Sequence, residues 1–140
     1  ARIVSEDETE AGKRALLNLG HTFAHALERA NEFGPALLHG EAVGCGMAMA
    51  FRYSARLGVC EGQDVVRVEQ ALAALGLTSD VRKLAGGPYE AGELLEHMMH
   101  DKKASQGVLT LILACGIGQS YIEPQADQAD LLDFLKVETT

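Results

Sequence analysis

Apolar residues recur at three- and four-residue intervals along most of this chain, the spacing of helices that bury one face and wet the other. A first helix is predicted from residue 9 or 10 to 30. Acidic residues at its start suit the positive end of the helix dipole, and the run Asn-Glu-Phe-Gly-Pro at 31–35 ends it. Its apolar stripe is Leu16, Leu19, Phe23, Ala26 and Leu27. A second helix is predicted from residues 39–41 to 57, stopping at Gly58. Its small residues Gly44, Gly46, Ala48 and Ala50 weaken helix propensity but let a neighbour come close, which places it in the middle of a bundle. A third spans 62–75 through Val65, Val66, Val68, Leu72 and Leu75, closed by Gly76. Shorter helices are predicted over 81–84 and 91–100, and a last one over 127–137. Residues 107–115 form a continuous β-rich apolar run that reads as a buried strand, with 120–123 as a second. The predicted fold is one mainly α domain over residues 1–140, with at most a small β-hairpin.

Composition narrows the function. The chain has 140 residues and a formal charge of −8, which argues against general nucleic-acid or anionic-membrane binding, since both need a basic surface. An anionic small molecule stays open, because Arg14, Lys102 and Lys103 can oppose the global sign locally. No apolar run is long enough for a membrane span, and the first residues lack a signal peptide's apolar stretch. Cys45, Cys60 and Cys115 are unclustered and read as reduced core thiols of a cytoplasmic protein. A start at Ala rather than Met suggests a fragment or a processed form. The methionines at 47, 49, 98 and 99 read as core filler. His97 and His100 read as exposed residues near a helix end, and Glu90, Glu93 and Glu96 as a solvated helix face. Gly44-Cys45-Gly46 is not a nucleotide loop: it sits inside a helical pattern, follows no strand and lacks a third glycine.

The polar side of the first predicted helix breaks the pattern. On an unbroken helix His21 and His25, four residues apart, share a face, with Arg14, Asn18 and Glu28 on or near the same stripe. His39 follows at the start of the second predicted helix. Neutral imidazole is a common ligand for borderline divalent ions, and a catalytic zinc site takes three protein ligands and keeps a position for water or substrate. On spacing alone the three histidines read equally as ligands or as a capping, a surface and a loop histidine.

The run Arg14-x-x-x-Asn18-x-Gly20-His21-Thr22-Phe23-x-His25-Ala26-x-Glu28, then Leu38-His39-Gly40-Glu41-Ala42-Val43, then Asp101-Lys102-Lys103, resembles the carboxy-terminal domain of the 3-dehydroquinate synthase family of sugar phosphate cyclases. The resemblance runs from the acidic lead-in at Asp7-Glu8 to Gly116-Ile117-Gly118. It implies that His21 and His39 are metal ligands, for zinc or cobalt, whose third partner is a glutamate from the preceding part of the enzyme. It implies that Arg14, Asn18 and His25 contact substrate, the arginine on the carboxylate side and the other two on the phosphate side. The Asp101-Lys102-Lys103 motif corresponds to a lysine that reaches phosphate, with Lys103 preferred over Lys102. A further substrate lysine belongs just upstream of Ala1.

The family's activity is conversion of 3-deoxy-D-arabino-heptulosonate 7-phosphate to 3-dehydroquinate and phosphate in the shikimate pathway, using a divalent metal and NAD. The resemblance therefore implies a sugar phosphate substrate and an amino-terminal domain, absent from this chain, that binds most of the NAD. The chain alone is expected to be inactive. A homodimer is left open. The alternatives are another sugar phosphate cyclase, such as a 2-deoxy-scyllo-inosose or 2-epi-5-epi-valiolone synthase, and a non-catalytic helical metal-binding module.

Overall fold

The computed structural model describes residues 2–5, 20–31, 37–101, 111–116, 119–123 and 127–140, with side chains for 20–31, 37–99 and 127–140. In chain order the elements are strand β1 (Arg2–Ser5), helices α1 (His21–Ala30), α2 (His39–Arg56) and α3 (Gly62–Ala74), a 3-10 turn (Val81–Lys83), helix α4 (Ala91–Asp101), strands β2 (Leu111–Gly116) and β3 (Gln119–Glu123), and helix α5 (Gln128–Thr139). The mainly α reading holds, and α2 to α5 fall close to their predicted bounds. Gly58, at φ +79°, takes the left-handed conformation that suits glycine and stops α2. Asp127 caps α5 by accepting from the amides of Ala129 and Asp130 at 3.0 and 3.2 Å, an arrangement worth about 0.5–2 kcal/mol.

The β content exceeds the predicted hairpin by one strand. β2 and β3 pair antiparallel, and β1 adds to the far edge of β3, giving the order β1-β3-β2. Its register sets Arg2 against Ile122 and Ser5 against Gln119. A four-residue segment carries too little alternation to announce itself, and its partner lies more than a hundred residues downstream.

As its small residues predict, α2 is central: it packs against α1, α3 and β2, and ten of its eighteen residues are buried. α4 packs on α1 and α5. Phe23, Tyr53 and Phe134 bring α1, α2 and α5 together, with ring centroids 6.4, 6.0 and 4.9 Å apart. Each such pair is worth about 0.5–1.5 kcal/mol beyond area burial. Leu27, Met49, Leu94, Met98, Leu131 and Leu135 fill the space around them. A smaller cluster, Phe51, Cys60 and Val65, joins α2 to α3.

Met49 and Met98 are core residues as expected, and Glu90, Glu93 and Glu96 are exposed. His97 is a correction: its side chain is only 23% exposed and lies 3.4 Å from Glu93 across one helical turn. Cys45 and Cys60 are buried, and burial pushes the Cys45 thiol up to about 12, so it keeps its proton at neutral pH. Among the described residues no helix is long and apolar enough to cross a membrane.

Candidate metal and substrate site

The predicted helix from residue 9 or 10 through His25 is not continuous. Gly20 stands at φ +77°, ψ −3°, and α1 begins at His21. The carbonyl of Gly20 accepts the first helical hydrogen bond, from the Ala24 amide at 2.9 Å. A shared helical face is therefore described only within α1, from His21 onward; residues 9–19 of the predicted helix, Arg14 and Asn18 among them, lie outside the described residues, as do Lys102 and Lys103. The reason for glycine at position 20 is contact: a Cβ there would come within 2.6 Å of the Met47 amide nitrogen on α2.

Within α1, residues 21 and 25 do share a face. Their Nε2 atoms are 3.1 Å apart, and the rings meet nearly edge to face, with centroids 4.4 Å apart at 87°. Two neutral imidazoles at this distance share one hydrogen, one nitrogen donating and the other accepting. His21 is exposed and His25 half-buried, while Phe23, Ala24, Ala26 and Leu27 on the other side are buried. The polar and apolar faces separate as their spacing predicts.

His39 opens α2 and is paired with α1. Its Nδ1 lies 2.8 Å from Oε2 of Glu28, the imidazole 70% exposed and the carboxylate 13%. An ionised carboxylate can only accept, so Nδ1 carries the hydrogen, and in the neutral ring Nε2 is then the nitrogen with the lone pair. This arrangement fixes the tautomer and the ring orientation of a metal-binding histidine. Sequence reasoning left Glu28 without a role, because its contact reaches across the turn between the helices. The start of α2 is further secured by the Leu38 amide, which donates to Glu41 Oε1 at 2.9 Å, and Glu41 also suits the positive end of the helix.

Hydrogen bonds thus join His21 to His25 and His39 to Glu28. The donor chemistry suits a borderline divalent ion: two imidazoles stand at the first positions of two helices packed on one another, one of them with its tautomer set. Among the described residues no three or more His, Cys, Asp and Glu side chains converge to hold an ion. A cavity of about 570 Å³ lies elsewhere, over Arg52, Glu69, Asp80, Arg82, Lys83 and Glu138. Five of these charges pair among themselves: Arg52 with Glu69 and Glu138, Arg82 with Asp80. Its position apart from the histidines and its internal pairing make it a structural junction.

Comparison with known proteins matches residues 1–104 to the family described as 3-dehydroquinate synthase C-terminal. The chain is 54% identical over 138 residues to a 3-dehydroquinate synthase of Caulobacter vibrioides, covering 99% of this chain and 37% of the relative. It is 53% identical over 137 residues to that of Rhodospirillum rubrum, covering 97% and 36%. The chain thus spans little more than a third of these relatives. Among solved structures, a 2-epi-5-epi-valiolone synthase from Streptomyces hygroscopicus with NAD+ and Zn2+ bound is similar at a TM-score of 0.71 and 24% identity, over 87% of this chain and 32% of that one. A 2-deoxy-scyllo-inosose synthase complexed with carbaglucose-6-phosphate, NAD+ and Co2+ is similar at 0.68 and 21%, over 90% and 34%. At these identities the likeness is one of fold.

Proposed function

The chain belongs to the 3-dehydroquinate synthase C-terminal family, and on that premise we propose that it forms the metal- and substrate-binding part of a cytoplasmic enzyme of the shikimate pathway. The reaction is conversion of 3-deoxy-D-arabino-heptulosonate 7-phosphate to 3-dehydroquinate and phosphate, toward aromatic amino acids. The observation that carries the reading is the pairing of His39 with Glu28 at 2.8 Å, which orients an imidazole at the start of α2 with its Nε2 available, beside the helix that begins with His21.

His21 and His39 would hold a divalent ion, zinc or cobalt, with a third ligand from the amino-terminal part of the protein. When bound, the ion polarises a substrate hydroxyl or carbonyl oxygen. His25 binds phosphate from the half-buried side of α1, where its shared hydrogen with His21 already constrains its ring. Arg14 has the planar fork that suits a carboxylate, and Asn18 and Lys103 supply donors to phosphate. NAD is bound mainly by the amino-terminal part, so the isolated chain orients substrate but turns none over. The high identity to 3-dehydroquinate synthases favours this substrate over those of other sugar phosphate cyclases, which share the fold at lower identity.

Metal analysis of the full-length protein tests the ligand assignment. Wild type is expected to retain one ion per chain through dialysis, and His21→Ala and His39→Ala to lose it, because each removes a ligand directly. Full metal content in both variants refutes the assignment.

A further inference from the structure

Besides the aromatic core between them, contacts at both ends of α1 hold it against α2. One is the His39 to Glu28 pair. The other is a backbone contact at the opposite end of α1, made by two glycines. A Cβ on Gly46 would lie 2.7 Å from the Gly20 carbonyl oxygen, 2.8 Å from the Ala24 amide nitrogen and 3.0 Å from the Ala24 Cβ. Those first two atoms are the acceptor and donor of the hydrogen bond that starts α1. A methyl at position 46 would therefore strike rigid backbone at the base of the helix whose first residue is His21. Gly44, one half-turn away on α2, faces differently: its added Cβ would meet the side chains of Leu72 and Leu77 at 3.1 and 3.3 Å, which can shift.

We infer that Gly46, with Gly20 against it, is a positioning residue that sets the distance of His21 from α2 and hence from His39. The inference rests on the reading of His21 and His39 as ligands of one ion. Glycine in a helix interior costs about 1 kcal/mol relative to alanine, so Gly46→Ala favours the α2 helix itself while wedging its neighbour outward. Metal affinity falls because one ligand is displaced, although both histidines remain.

The test measures Zn2+ affinity by chelator competition, and the visible spectrum of the Co2+-loaded protein, on the full-length protein carrying this chain. Gly46→Ala is expected to bind Zn2+ about 10- to 100-fold more weakly, the effect of disturbing what orients a ligand, and to show an altered Co2+ spectrum while circular dichroism remains native. Gly44→Ala is expected to match wild type in both. If Gly46→Ala does not fold, the double variant Gly46→Ala/Ala24→Gly, in which the new methyl meets backbone alone, carries the same expectation. Wild-type affinity in Gly46→Ala, or equal losses in Gly44→Ala and Gly46→Ala, overturns the inference while His21→Ala and His39→Ala still lose metal. Wild-type affinity in those two histidine variants overturns the ligand reading, and this inference with it.

Discussion

At the scale of single residues, the two histidines of α1 are neighbours with different expected work. His25→Ala in the full-length protein should leave metal content nearly intact and lower kcat/KM for the phosphorylated substrate about 10- to 100-fold, the worth of a hydrogen bond to a charged group. Atomic emission beside steady-state kinetics checks this. Metal loss in His25→Ala equal to that in His21→Ala would instead make the two rings, with Nε2 atoms 3.1 Å apart, a chelating pair. Glu28→Gln tests the orienting carboxylate. An amide can present its nitrogen to His39 Nδ1 and no longer fixes the tautomer, so metal affinity should drop about 10- to 100-fold. Unchanged affinity, measured by chelator competition, would leave the contact structural. The histidines were legible in the sequence because three imidazoles stood among apolar residues. Glu28 was not, because its partner is eleven positions away across an interhelical turn.

At the scale of elements, the bundle is joined by an arginine that spacing alone left unremarked. Arg52 on α2 donates from Nε and Nη2 to the Glu138 carboxylate of α5 at 3.0, 3.1 and 2.6 Å. It also donates from Nη1 to Glu69 of α3 at 2.9 Å and from Nη2 to the Ser79 carbonyl at 2.7 Å. Burial by itself would lower its pKa, and the hydrogen bonds of Glu138 and Glu69 more than reverse that. The side chains of Arg52 and Glu138 are 19% and 10% exposed. Arg52→Ala leaves a nearly buried carboxylate without its main partner and should cost about 3–5 kcal/mol, read from urea unfolding monitored by circular dichroism. Arg52→Lys keeps the charge but loses the fork and should recover only part of that loss. A change below about 1 kcal/mol in Arg52→Ala would place the pair among weak surface contacts.

The helices were legible because apolar period and glycine stops agree in α2 and α3. The start of α1 was not: an amphipathic pattern that continues past a glycine looks unbroken in sequence, and only the contact of Gly20 with α2 shows why the chain turns there. β1 was illegible for a related reason, since its pairing with β3 is wholly long-range.

At the scale of the whole molecule, the chain spans little more than a third of its relatives, and the proposed site draws a metal ligand and NAD from the remainder. On the proposed function, this chain supplies half of a catalytic centre. The most direct measurement is phosphate release from 3-deoxy-D-arabino-heptulosonate 7-phosphate with NAD and zinc present, using the purified chain alone and then with the separately produced amino-terminal part. No release by the chain alone, and turnover when the two parts are mixed, is the expected result. Turnover by the chain alone, or none by the intact full-length protein, would contradict it.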